Sequence, residues 1–242
     1  GRGGSFRLTL APMSLPPAQQ SALSPHGTEA AAIHDLTLVM TAGAVVVMVV
    51  VMVLVVMALR GTRPGLARTS LVVAGGVVFP AVVLAALLVY TQVKETRAAL
   101  GGKPDVTIEL VGHQWWWQVR YLDGEDALDF TTANEIRIPA RASVEVRLKS
   151  ADVLHSFWVP ALAGKLDLIP GRENRLRITA QKAGTYRGQC AEYCGGPHAQ
   201  MALFVVAQEA DDFKAWRAAQ RQPQKAGGQV RGAALFLEHC AG

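Results

Sequence analysis

Two kinds of hydrophobic pattern divide the chain. From Leu36 to Leu59, 24 residues run without a charged side chain, and from Leu71 to Tyr90 another 20 do so. At about 1.5 Å of rise per residue, each run forms a helix long enough to cross about 30 Å of hydrocarbon. Two such runs cannot both be core helices of so small a soluble domain, so the pattern predicts a membrane hairpin. From Asp105 the texture changes to short alternations bounded by Gly, Pro and Asn. Val106–Leu110, Glu135–Ile138, Val144–Leu148 and Arg175–Thr179 read as half-buried strands. Ala202–Val206 reads as a final strand, apolar on both faces. Strands this short and this closely spaced predict a β-sandwich or Greek-key barrel. Glu209–Gln220 then reads as a closing helix, with Asp211 and Asp212 suiting its N-terminal dipole and Phe213 and Trp216 on one face.

This gives five segments: an extracytoplasmic N-terminal piece (1–32), a transmembrane hairpin (33–95), a β domain (104–208), a closing helix (209–221), and a linker leading into what could begin a further domain (222–242). The chain starts without Met, as a processed or trimmed start would. The loop between the runs carries Arg60, Arg63 and Arg68 and no acid, whereas Glu29 and Asp35 are the nearest charges before the first run. Positive charge stays on the cytoplasmic side, so both termini are expected outside; Lys94, Arg97 and Lys103 weaken that asymmetry. Gly75, Gly76 and Pro80 permit close helix approach and a kink, which suggests a larger intramembrane partner. Met40, Met48, Met52 and Met57 fit lipid or helix packing better than a copper relay.

Charge excludes one class of function. The net charge of +5 is not in the β domain, because residues 101–223 hold 15 Lys/Arg and 15 Asp/Glu. No basic patch with interleaved aromatics is evident, so the expected surroundings include a lipid bilayer but no nucleic acid.

The densest chemistry lies in Gln189-Cys190-Ala191-Glu192-Tyr193-Cys194-Gly195-Gly196-Pro197-His198-Ala199-Gln200-Met201. Thiolate, imidazole and thioether suit copper better than magnesium or calcium, and two thiols suffice to bridge two copper ions. His155, in Leu154-His155-Ser156-Phe157-Trp158, is the best candidate for a second imidazole. From residue types alone, Cys190–Cys194 could be a disulfide, and two Cys with two His could hold zinc. Zinc has no use for Met201, which taken alone would read as core filler.

The spacing Cys-x-Glu-x-Cys-x-x-x-His-x-x-Met resembles the binuclear copper (CuA) site of cytochrome c oxidase subunit II. Gly112-His113-Gln114-Trp115-Trp116-Trp117 and Leu154-His155-Ser156-Phe157-Trp158-Val159-Pro160 resemble two further signatures of that family, and the likeness runs from about Ser21 to about Trp216. The resemblance implies a two-span transmembrane α-helical hairpin followed by an all-β cupredoxin-like Greek-key barrel. It implies bridging Cys190 and Cys194, terminal His155 and His198, weak Met201, and the backbone carbonyl of Glu192 as ligands. The Glu192 side chain would also reach a magnesium ion shared with subunit I. Implied partners are subunit I and the other oxidase subunits, with cytochrome c as donor, in a bacterial inner membrane with the copper domain periplasmic. Oxygen reduction and proton pumping would belong to subunit I.

Trp115, directly after Gly-His-Gln, matches the residue through which electrons enter in the family. Read as one alternating strand, Trp115 and Trp117 share a face and Trp116 takes the other. His113 reads as a packing residue, not a ligand. Asp123, Glu125, Asp126 and Asp129 form an acidic run that reads either as a solvated turn or as a patch steering a basic cytochrome; Asp152 and Asp167 match family positions near that face.

Two departures stand out. The family's acid early in the second span would fall near Val73, and no acid is there. Gly232–Gly242 resembles the first helix of a c-type cytochrome but stops after one Cys of Cys-x-x-Cys-His, so haem c is expected only if the chain continues; an ordinary tail with a stray thiol is the other reading. Nitrous oxide reductase shares the copper motif without this anchor, and quinol-oxidase relatives keep the anchor but lose the ligands. Rival functions are a membrane-anchored copper-binding or delivery protein, or a structural anchor with zinc or a disulfide.

Overall fold

The computed structural model describes residues 18–61, 69–99 and 102–222. Two compact units result: residues 32–104, and the β domain from Asp105 onward together with the segment up to Ala31. Residues 62–68 of the loop between the two apolar runs, with Arg63 and Arg68, and the cytochrome-like tail lie outside the described residues.

The first unit is helical. Helix α1 runs Thr28–Leu59; the second apolar run forms α2 (Thr69–Val73), one π turn (Ala74–Val78) and α3 (Phe79–Ala99). The wide turn leads straight into Pro80, whose ring crowds the carbonyl four residues back and which has no N–H to donate. Gly75 and Gly76 line the widened turn. Both helical runs are long and apolar enough to cross a membrane, over Thr28–Leu59 and Thr69–Val93. Most of their Val, Leu and Met side chains stay exposed, as expected of surfaces that meet lipid or other helices.

The second unit is a β-sandwich. One sheet has the order β3-β2-β1-β5-β8, from Leu128–Ala133, Trp116–Leu122, Val106–His113, Val144–Ser150 and Asn174–Ile178. The other has the order β4-β10-β9-β6-β7, from Glu135–Pro139, Ala202–Gln208, Gly184–Cys190, His155–Trp158 and Leu166–Leu168. Most pairs are antiparallel, but β1 lies parallel to β5 and β4 parallel to β10. Alternation decides the faces: Val106, Ile108 and Leu110 on β1 and Val144, Val146 and Leu148 on β5 point inward against Ile136, Ile138, Leu203 and Val205. Each such burial stabilises the domain by about 1.5–3 kcal/mol. β10, apolar on both faces as its sequence reads, buries only one: Leu203, Val205 and Ala207 are buried, whereas Phe204 faces outward on the other side of the pleat.

Asn134, at positive φ in the β3–β4 corner, ties the two sheets at one end. Its side chain accepts from Trp117 N–H at 2.8 Å, and its carbonyl accepts from Phe204 N–H. Short polar Asn tolerates that left-handed conformation better than most residues. At the opposite end, α4 (Ala210–Gln220) closes the core with Phe213 and Trp216 against Tyr121 and Phe130.

The segment before α1 is built into the domain. Gln19 bridges Tyr186 on β9, and Gly27 bridges Ala180. The N–H groups of His26 and Gly27 donate to Ala161 O and that of Ala30 to Leu162 O, which satisfies part of the otherwise unpaired first turn of α1. Helix α1 therefore starts at Thr28, eight residues before the uncharged run at Leu36. A Cβ on Gly27 would fall 2.0 Å from Leu162 O, so only glycine permits this approach.

Candidate metal centre

Two strand ends and one loop meet at the Asn134 end of the sandwich. His155 opens β6, Cys190 closes β9, and Phe157 pairs with Cys190 across the two strands. The chain then loops through Cys194 at buried depth, makes a 3₁₀ turn over His198–Gln200, and delivers Met201 just before β10. The loop is pinned by Ala191 N–H to Ser156 O and by Cys190 N–H to Met201 O, both at 2.9 Å. Gly195, at φ +119°, makes its sharp turn.

The donor atoms converge. The two cysteine sulfurs stand 3.8 Å apart as free thiols, not a disulfide. His155 Nδ1 lies 3.8 Å from Cys190 Sγ, and the Glu192 carbonyl oxygen lies 3.2 Å from the same sulfur. His198 Nδ1 is 3.5 Å and Met201 Sδ 3.8 Å from Cys194 Sγ. Among the described residues, His155, Cys190 and Cys194 form the one buried His/Cys/acid cluster able to hold a metal ion. Met201 is 1 % exposed and completes a soft, dry donor set.

Burial raises the cost of a thiolate at both sulfurs. At Cys190 the His155 ring and the peptide groups of Glu192 and Ser156 outweigh it and hold the thiol below its ordinary range. Burial and the neighbouring Cys190 charge push the Cys194 thiol up. Burial would lower His155, but Cys190 and Asp152 prevail and raise it. The pair thus carries one negative charge readily, and a cation is needed to hold two.

Asp152, expected at the donor face, is turned toward His155: Oδ1 lies 2.8 Å from Nε2, and the carboxylate also accepts from the Gln114 and Val153 N–H groups. This fixes the ring with Nδ1 toward the sulfurs. Gly112 presses on the other side, since a Cβ there would sit 2.8 Å from His155 Cδ2. Sequence reasoning named neither role. The signal available was the Gly-His-Gln spacing, which puts a residue without a side chain two positions before Gln114.

The tryptophans depart from the alternating-strand expectation. The chain reverses at Gln114–Trp115, so Trp115 belongs to the β1–β2 turn and does not share a face with Trp117. Trp117 is fully buried, Trp116 stacks on His113 at 4.5 Å, and Trp115 is 40 % exposed with its Nε1–H donating to Cys194 O at 3.2 Å. His113 contacts Gln118 and Trp116, away from the sulfurs.

The acidic run lies elsewhere. It occupies the β2–β3 turn and the start of β3, at the end of β2 remote from Trp115. Asp123 accepts from Glu125 and Ala127 N–H, Asp126 pairs with Arg147, and Asp129 is gripped by Arg217 and Arg221. Asp126 and Asp129 are therefore partners within the fold, not free charges. Asp167 lies nearer the centre on β7, paired to β6 opposite Ser156, with Lys165 3.9 Å away; the same lysine is 3.6 Å from Glu192.

A family model described as cytochrome c oxidase subunit II, periplasmic domain, matches residues 126–208. The chain belongs to the cytochrome c oxidase subunit II family. It is 43 % identical over 115 residues to cytochrome c oxidase subunit 2 of Alkalihalophilus pseudofirmus, covering 48 % of this chain and 32 % of that one. Against cytochrome c oxidase subunit 2 of Arabidopsis thaliana it is 36 % identical over 143 residues, covering 50 % and 55 %. The chain thus spans from a third to just over half the length of these subunit II relatives. The crystal structure of the periplasmic domain of subunit II of the Bradyrhizobium japonicum oxidase is 32 % identical, covering 50 % of this chain and 96 % of that one at a TM-score of 0.46. Two apolar helices and a periplasmic-domain family fit a membrane protein with an extracytoplasmic domain.

Proposed function

We propose that this chain accepts electrons one at a time from cytochrome c at a binuclear copper centre and passes them to haem in subunit I of a haem-copper oxidase. The convergence of four donors on two free thiols carries the reading: His155 and Glu192 O at Cys190, His198 and Met201 at Cys194. Two copper ions held by Cys190, Cys194, His155, His198, Met201 and the Glu192 carbonyl would supply one-electron redox chemistry here. The chain's own part is to hold the donors still. Asp152 orients His155, two loop hydrogen bonds pin Cys190, and buried surroundings exclude water. Little rearrangement is then required as charge arrives and leaves.

Trp115 is the proposed point of entrance, because its exposed ring is one hydrogen bond from the Cys194 carbonyl. The half-exposed Glu192 carboxylate is the proposed magnesium ligand at the subunit I contact, with Lys165 its nearby cation in the free chain. The proposed setting is a bacterial inner membrane with the β domain on the periplasmic side.

Electron paramagnetic resonance with copper quantitation on the full chain tests this. Seven hyperfine lines at two coppers per chain are expected. A four-line pattern at one copper would point to copper delivery instead, and a silent sample holding zinc or no metal would sink the reading.

A further inference from the structure

Gln114 touches both halves of the centre. Its backbone N–H donates to Asp152 Oδ2 at 2.7 Å, and the other oxygen of that carboxylate holds His155 Nε2 at 2.8 Å. Its side-chain amide donates to the Cys194 carbonyl, also at 2.7 Å. His155 comes from the start of β6 and Cys194 from the β9–β10 loop, 39 positions apart in the chain. Both reach Gln114 directly or through one carboxylate. The fit is close: a Cβ on Gly195 would stand 3.1 Å from Gln114 Nε2, so the bare, positive-φ glycine makes room for the amide.

We propose that Gln114 is a positioning residue that locks the His155 and Cys194 pieces of the donor set into one rigid body, through the Asp152 carboxylate and the Cys194 carbonyl. The inference rests on the copper reading above. A one-electron centre works best when its ligands keep one geometry in both redox states. The Cys194–His198 stretch is a loop, with its backbone hydrogen bonds mostly internal. Trp115 Nε1 shares the Cys194 carbonyl at the longer distance of 3.2 Å, so the amide is the shorter of the two tethers. Outer partners of metal ligands usually change metal affinity by roughly 10–100-fold when removed.

The two links of Gln114 separate cleanly. Any non-proline substitution keeps the backbone N–H to Asp152, so side-chain variants isolate the tether to Cys194. Gln114→Glu keeps the shape but, ionised, has no donor; Gln114→Ala removes the group. Gln114 is an exposed turn residue, so neither variant opens a core cavity, and the melting temperature of the metal-free chain is expected to stay near wild type. Two readouts on the full chain in detergent decide the matter. In the metal-free form, amide hydrogen exchange over residues 191–200 is expected to accelerate in both variants while β1 and β5 keep wild-type protection. In the copper-loaded form, release to a copper chelator is expected to be roughly 10–100-fold faster. Wild-type exchange and wild-type release in both variants would overturn the proposal. So would faster exchange throughout the domain, which would mark Gln114 as a general fold residue. If wild-type chain takes up no copper, the copper reading fails, and the exchange data alone still decide whether Gln114 holds the loop.

Discussion

The imidazole of His155 is set by three neighbours, none of which is a metal. Asp152 pulls on Nε2, Gly112 bounds the carbon edge of the ring, and Trp117 stands behind it at 6.1 Å between centroids. Gly112→Ala would drive a methyl group into the ring edge, since 2.8 Å is shorter than any ordinary Cβ contact. The expected result is a turned ring, a loss of about 1–3 kcal/mol in stability from overpacking, and altered copper hyperfine splitting. Wild-type stability and spectrum together would show that the ring position is not set by this glycine. At this scale the sequence was partly legible. Cys190, Glu192, Cys194, His198 and Met201 fall within twelve residues, and the chain needs only one loop to gather them. Gln114, Asp152 and Gly112 reach the centre from 80, 42 and 82 positions before Cys194, and local pattern carries no record of such meetings. Trp115 was misread for a related reason: three consecutive indoles hide the chain reversal that separates the first from the third.

Among the elements, α4 shows how a short amphipathic helix is fastened. Its apolar side meets Tyr121 and Phe130, Arg137 lies over the Trp216 ring at 5.3 Å, and Arg217 and Arg221 close on Asp129. The hydrogen bond from Arg221, opposed by burial and reinforced by Arg217, holds the Asp129 carboxyl below its ordinary value. Folding thus depresses this group. Its stabilisation is complete above the unfolded value of about 3.9 and is lost as pH falls through the lower folded value. Asp129→Asn is expected to lower the melting temperature by a few degrees at pH 7 and to flatten the acid side of the stability curve below about pH 4. An unchanged acid limb would assign that loss of stability to other carboxylates. Long alternating strands and uncharged helices were legible because their period repeats several times. β6 and β7, of four and three residues, are too short to display one, and the docking of Gln19 to Gly27 is made chiefly by backbone groups, which leave no side-chain signature.

For the molecule as a whole, the distribution of charge decides what can be felt at a distance. The outer face of the β3-β2-β1-β5-β8 sheet is zipped by Glu109 with Arg120 and Lys149, Lys149 with Glu173, Glu173 with Arg175, and Arg147 with Glu145 and Asp126. Such a face projects little net field. The acidic turn is separated from Trp115 by the seven residues of β2, about 23 Å at 3.3 Å each. That exceeds the screening length of about 10 Å at 0.1 M salt. Glu125→Gln is therefore expected to leave the bimolecular rate of reduction by cytochrome c within about twofold at that ionic strength. A severalfold slowing, erased by added salt, would restore the turn as a steering patch. The pairing of Gln19 with Tyr186 and of Gly27 with Ala180 carries a further consequence, one of parity. Hydrogen-bonded partners must share a compartment, and these lie on either side of everything from Thr28 to Asp105 in the chain. The intervening stretch can then cross a bilayer only an even number of times. Two crossings satisfy that count without any appeal to arginines, and a fusion that forced Gln19 onto the opposite face from Tyr186 would leave β9 short of a partner.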